Sequence, residues 1–163
     1  MLFRSKKLVG KYLTDYSGEL LRVWETERPF ELHLDHGIVT GRADVILDRE
    51  NGVAGNLGIV DYKTSNETKT DDVFAFQLAI YAAAGRGEGL DVRAAYLHAL
   101  KESERHPIAV GAAEVSAART RADRLIEEIS SGSFPAKPDT DKCKRCDARS
   151  ICKHAIYNPM YDI

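Results

Sequence analysis

The sequence predicts an α/β domain built on a mixed sheet, and three observations lead there. Helical and alternating apolar periods interleave along the chain in the order α, β, β, β, α, β, β, α, followed by a tail. With 163 residues, 44% of them apolar and 29% charged, the chain has the length of one domain and enough apolar surface for a core. No apolar run approaches the roughly 18 residues of a bilayer-spanning helix, and the five prolines and 12 glycines form no low-complexity pattern. The 23 basic and 25 acidic side chains leave a net charge of −2, without the global basic signature of a nucleic-acid binder.

Val9, Tyr12, Leu13, Tyr16, Leu20 and Val23 or Trp24 recur at helical spacing and predict an N-terminal helix within residues 1–28. That segment lacks the apolar stretch and small-residue cleavage site of a secretory signal, so a cytoplasmic location is expected. Residues 29–35 alternate, and the alternation resumes over 37–48 after a His36–Gly37 turn, which predicts a β-hairpin. The Gly- and Asn-rich stretch 48–58 reads as an exposed loop, and 57–62 as a central, buried strand. Residues 65–72 are polar. Asp71 or Asp72 is then placed to cap a helix running to Ala84, with Gly85 as its stop. Strands are expected over 92–100 and 107–110. A helix follows over 112–129, with Val115, Ala118, Ala122, Leu125, Ile126 and Ile129 on one face. From Ser130 onward the chain reads as loop. The expected organisation is a single domain, with its helix in 1–28, its core in 29–132 and a cysteine-containing tail in 133–163.

Two acidic residues stand where strands should hold apolar side chains. Asp44 precedes Val45, Ile46 and Leu47, and Asp61 ends an apolar run and is followed by Tyr62 and Lys63. A buried carboxylate is costly unless it is paired or binds a cation. Because strand side chains alternate, Asp61 and Lys63 point to one side. Two carboxylates beside one lysine suit a hard divalent cation with lysine as electrostatic helper; an ordinary surface ion pair is the plain alternative. On the next helix Gln77 and Tyr81 lie four residues apart on one face. They are either polar site residues or, for Tyr81, a ring packed in the core with its hydroxyl at the rim.

Taken together, G-x-x-D (Gly41, Asp44), D-Y-K-T (Asp61, Tyr62, Lys63, Thr64) and Q-x-x-x-Y (Gln77, Tyr81) resemble the PD-(D/E)XK nuclease superfamily. Their order resembles its RecB-like exonuclease branch in particular, as in RecB and AddB nuclease domains, CRISPR adaptation exonucleases and modules fused to UvrD-type helicases. The tail adds F-P-A-K-P at 134–138 and then C-x2-C-x5-C at Cys143, Cys146 and Cys152. The resemblance implies a restriction-endonuclease-like central mixed sheet flanked by helices. It implies Mg²⁺ or Mn²⁺ held by Asp44, Asp61 and the Tyr62 backbone carbonyl, with Lys63 steadying charge at phosphorus and Gln77 and Tyr81 positioning the strand. The implied reaction is hydrolysis of DNA, single-stranded or at duplex ends, in repair or recombination, with a UvrD-type helicase as partner in cis or trans. A nuclease-like module kept only for DNA binding or protein contact is the alternative function.

The branch also carries a histidine and, in iron–sulfur members, a further cysteine on N-terminal elements. Here no histidine precedes His33 and no cysteine precedes Cys143, and His33 and His36 read as surface residues. The expectation is that these residues form the C-terminal part of a larger protein; a natural short form that dispenses with the iron–sulfur cluster is the alternative. Three clustered cysteines suit metal ligation in a reducing compartment. An incomplete site, a 4Fe–4S cluster completed by a fourth thiolate, and zinc with His154 are the readings, in that order; free thiols are the plain alternative. The tail also has a local excess of Lys and Arg, either a DNA-backbone contact or a solvated loop.

Overall fold

The computed structural model describes residues 2–48, 56–64 and 72–156, with side chains from Lys6 onward. The expected loop at 49–55 and the polar stretch 65–71, Asp71 included, lie outside the described residues. The chain forms two compact units, Met1–Glu127 and Glu128–Ile163.

In the first unit, α1 (Leu2–Tyr16) is followed by a 3₁₀ segment (Ser17–Arg22), β1 (Val23–His33), β2 (Ile38–Asp48) and β3 (Leu57–Lys63). Then come α2 (Asp72–Gly87), β4 (Val92–Ala99), β5 (Glu104–Ile108) and α3 (Ala112–Ser130), which ends just past the unit's last residue. The five strands form one sheet in the order β1-β2-β3-β4-β5. All neighbours are antiparallel except β3 and β4. These two run parallel because α2 carries the chain back between them, the connection a parallel pair requires. The sheet is therefore mixed and flanked by helices, as expected.

Three boundaries differ from the sequence reading. First, the N-terminal helix ends at Tyr16, and β1 begins six residues before the expected strand start. Val23 pairs with Leu47 and Thr26 with Val45, but the register shifts between Val23 and Glu25. Glu27 takes a left-handed φ of 51°. A bulge of this kind removes the two-residue period by which a strand is recognised. Second, α2 runs through Gly85 rather than stopping there. A Cβ on Gly85 would lie 2.9 Å from Val92 Cγ2, so this glycine admits the close approach of α2 to β4. The helix ends two residues later, and Gly89 at φ 86° makes the turn. Third, β5 is displaced toward the N-terminus of its expected span and contains Pro107 opposite Tyr96. As the last strand of the sheet it tolerates a residue without an N–H.

The core lies along β3, β4 and α2, where Leu57, Ile59, Val60, Leu78 and Leu97 are buried. Val115, Ala118 and Ala122 of α3 join it, so the expected apolar face of that helix is partly realised; Ile129 is exposed. Alternation along β3 sends Asp61 and Lys63 toward α2, and Tyr62 to the opposite face, where its hydroxyl meets Tyr12 of α1 at 2.7 Å. Val9 and Leu13, placed on the packed face by periodicity, are exposed; α1 docks through Tyr12 and Tyr16 instead.

In the second unit the expected loop holds a short helix, α4 (Thr140–Arg145), and a 3₁₀ turn (Asp147–Ser150). Asp139 caps α4, its carboxylate accepting from Asp141 N at 3.1 Å and Lys142 N at 3.0 Å. Among the described residues no helix is long and apolar enough to cross a membrane.

Candidate active site

The register of β2 against β3 assembles the site. Val45 pairs with Val60 and Ile46 with Ile59. One step further along the same ladder brings Asp44 level with Asp61. Asp44 Oδ2 accepts the Tyr62 backbone N–H at 2.9 Å, which ties the G-x-x-D aspartate to the middle of the D-Y-K segment. Asp61 is 2% exposed, and its Oδ2 lies 2.7 Å from Lys63 Nζ.

Helix α2 closes the arrangement. Gln77 Nε2 donates to Asp61 Oδ1 at 3.2 Å and to Tyr81 Oη at 2.6 Å, while its Oε1 lies 3.5 Å from Lys63 Nζ. One amide thus touches the carboxylate, the ammonium and the phenol. The i, i+4 spacing of Gln77 and Tyr81 permits this, since both project from one helix face. The structure therefore brings Asp44, Asp61, Lys63, Gln77 and Tyr81 together.

Burial pushes the Asp61 carboxyl above the usual carboxylate range; Lys63 opposes the rise and the Asp44 charge adds to it. Burial also raises the Tyr81 phenol, against the opposing effect of its bond with Gln77, and raises the Tyr62 phenol, with Tyr12 contributing in the same direction. A nearly buried carboxylate whose charge is incompletely compensated is a fitting ligand for a cation. Among the described residues the partner of buried Asp61 Oδ2 is the Lys63 ammonium, at 2.7 Å. Among the described residues no three His, Cys, Asp or Glu side chains converge on one metal position. Asp44 and Asp61 are oxygen donors of the kind taken by a hard cation such as Mg²⁺, which commonly uses one or two carboxylates and draws its remaining ligands from water and substrate.

Several supporting residues carry no local sequence signal. A Cβ on Gly41 would lie 2.5 Å from Phe30 Cζ, so the motif glycine makes room for the Phe30 ring. That ring meets Tyr81 edge-on with centroids 4.9 Å apart. Lys63 Nζ stands 5.1 Å from the centre of the Phe74 ring. A family profile describing the PD-(D/E)XK nuclease superfamily matches residues 2–153.

The chain belongs to this superfamily. No curated protein matches the sequence. Among solved structures, this PD-(D/E)XK chain is similar to a candidate exonuclease from Eubacterium rectale, with a TM-score of 0.58 and 15% identity. The similarity covers 94% of this chain and 61% of that one. It is also similar to SSO0001, with a TM-score of 0.54 and 18% identity, over 94% of this chain and 70% of the other. At these identities the likeness concerns the fold.

The remaining candidates lie elsewhere in this PD-(D/E)XK protein. Cys143 is half-buried and Cys146 and Cys152 are exposed; all three are free thiols in the second unit. They are not gathered with one another or with His154 into a three-ligand metal site. His33 is exposed, and His36 accepts a partner from α3: its backbone N–H and Nδ1 each lie 2.8 Å from the Asp123 carboxylate.

Proposed function

We propose that this protein is a divalent-metal-dependent deoxyribonuclease that hydrolyses phosphodiesters at Asp44, Asp61 and Lys63, acting as an exonuclease of the RecB/AddB-like kind. The observation that carries the reading is the network in which Gln77 joins Asp61, Lys63 and Tyr81 beside Asp44. The motif order and the cysteine tail support the finer placement, with a UvrD-type helicase partner and a role in DNA repair or recombination.

Asp44, Asp61 and the Tyr62 carbonyl would hold Mg²⁺ or Mn²⁺, which supplies Lewis acidity toward a phosphoryl oxygen and a more acidic bound water. Lys63 keeps a fixed positive charge beside Asp61, where negative charge grows on phosphorus-bound oxygens during attack. Its contacts with Asp61 and Gln77 hold the ammonium in place before substrate arrives, so little reorganisation accompanies the reaction. Gln77 fixes the orientation of Asp61 through Oδ1 and of Tyr81 through Oη. Tyr81 accepts from Gln77 and keeps its own proton at neutral pH, since burial lowers the acidity of the phenol, and that proton is available for donation to a phosphate oxygen.

The tail cysteines Cys143, Cys146 and Cys152 are not gathered on one metal position in this structure. They are proposed as an incomplete ligand set that becomes a 4Fe–4S site only with a fourth thiolate from the full-length protein and rearrangement of the tail. Iron and sulfide analysis of protein purified without oxygen tests this, and stoichiometric zinc without iron would favour zinc instead.

Cleavage of end-labelled single-stranded and duplex DNA with Mg²⁺ or Mn²⁺ tests the nuclease reading. Asp61→Asn is expected to reduce cleavage by at least about 10³-fold, in line with loss of a group acting on transition-state charge, while DNA binding persists. Equal cleavage by wild type and Asp61→Asn would overturn it.

A further inference from the structure

A cavity of about 420 Å³ lies between the β1–β2 hairpin, α2 and α3, with Phe30, Gly41, Phe76, Ile80, Leu125 and Ile126 among its walls. Gln77 and Tyr81 line it as well. These are the side chains that bind each other and Asp61, so the cavity meets the candidate active site across a single amide. A larger cavity, about 610 Å³ along Pro29, Phe30, Glu31, Leu32 and His33, includes none of Asp44, Asp61, Lys63, Gln77 or Tyr81.

We propose that the smaller cavity holds an unpaired nucleobase, that of the nucleotide flanking the phosphodiester presented to Asp44, Asp61 and Lys63. The assignment rests on the phosphodiesterase reading above. A phosphodiester held at those residues necessarily carries a nucleoside one bond away, and the apolar space beside Gln77 is where a base leaving the stack would find cover. The walls suit a flat aromatic ring. Phe30 and Phe76 supply rings, and the Arg121 guanidinium lies 4.4 Å from the centre of the Phe76 ring. Asp72 holds that guanidinium at 2.8 Å, so the Phe76 ring is backed on one side. Thr40 adds a hydroxyl to the mainly apolar lining, beside the polar groups of Gln77 and Tyr81, for the base edge. The volume falls in the range of small-molecule sites. Val73, which lines the cavity, is 57% exposed, so this part of the wall faces solvent.

A base paired within a duplex cannot enter such a space without unstacking, and the cost is least in single strands and at frayed ends. The cavity therefore selects single-stranded or fraying DNA at the cut.

The probe is a set of single-stranded oligonucleotides with one abasic residue or one 2-aminopurine at successive positions around the cut. Val73→Trp adds bulk at the exposed rim of the cavity, one helical turn from Gln77, and replaces none of the proposed catalytic side chains. Wild-type protein is expected to cleave the normal strand about 5- to 150-fold faster than the strand that is abasic at the flanking position, from the usual strength of base–aromatic stacking. Val73→Trp should lose this discrimination, slowing on the normal strand and matching wild type on the abasic one. Equal discrimination by wild type and Val73→Trp would overturn the proposal. A binding arm uses Asp61→Asn protein and needs no cleavage. There, 2-aminopurine fluorescence should change at one position and the change should vanish on adding Val73→Trp; no position-specific change, or one that survives Val73→Trp, overturns the pocket. Absent cleavage in every form, combined with a positional signal that Val73→Trp removes, would support the pocket and reject the phosphodiesterase reading.

Discussion

Gly41 shows how one residue's missing side chain shapes the site. Its hydrogen leaves the space into which the Phe30 ring fits, and Phe30 in turn supports Tyr81. Gly41→Ala would force that ring off its position, an overpacking cost of about 1–3 kcal/mol. Urea unfolding should register the loss, and cleavage should fall with it. His98 makes a second residue-scale case. It is fully buried, with Tyr12, Tyr16 and Tyr62 edge-on around it and Arg105 Nε 3.4 Å from its Nδ1. Its Nε2 has no hydrogen-bond partner among the described residues. Burial and then the Arg105 charge lower its pKa to about 4; Glu19 and Asp15 oppose this, and His106 adds the smallest lowering effect. The unfolded chain, with an ordinary histidine near 6.5, therefore binds more protons between those values, and stability rises with pH across them. The contribution is complete above about pH 6.5 and disappears as pH falls through about 4, a swing of roughly 2–3 kcal/mol. Urea unfolding at pH 7 and pH 4.5 measures it, and His98→Gln should flatten the difference.

At the scale of elements, α1 reaches the D-Y-K segment from behind the sheet. Tyr12 and Tyr62 share a hydrogen bond of 2.7 Å, while Tyr62 N–H serves Asp44 on the site side. Arg105 of β5 braces the same region by pairing with Glu19 at 2.5 and 2.6 Å and lying 4.5 Å from the centre of the Tyr16 ring. Tyr12→Phe removes one member of the hydroxyl pair without changing the ring, and is expected to cost about 1 kcal/mol. A larger effect on kcat than on that stability, compared by unfolding and single-turnover cleavage, would mark α1 as part of the positioning of Tyr62. The elements also show where periodicity is a good guide and where it is not. Strand β3 was legible as a short apolar run bounded by turn residues, and helix α3 by a long apolar stripe that is buried in part. The start of β1 was not, because a bulge and a left-handed Glu27 break the alternation.

For the molecule as a whole, the two units differ in how they are held together. The first is built on a sheet with buried strands and helices on both faces. The second has no buried residue in either α4 or its 3₁₀ turn, and Phe134, Ile151 and Ile156 are exposed. Apolar burial contributes little there, so limited trypsin digestion should cut first at exposed sites such as Lys137 and Lys142 and leave the sheet intact. Mass spectrometry of the early fragments checks this, and loading of the cysteines with a metal centre should slow those cuts.

The candidate site residues were readable along the chain because their spacing is local: D-x-K follows the two-residue period of a strand, and Q-x-x-x-Y follows one helical turn. Membership of Asp44 and Asp61 in one site, by contrast, depends on strand register, and Gln77 reaches Asp61 only because α2 packs on β3. Phe30 against Gly41 and Tyr12 against Tyr62 join positions far apart in sequence, and no pattern within a single element encodes them. Local propensity and periodicity thus specify the elements and their polar exceptions, whereas the contacts that aim Asp44, Asp61, Lys63, Gln77 and Tyr81 at one place arise from the non-local packing of those elements.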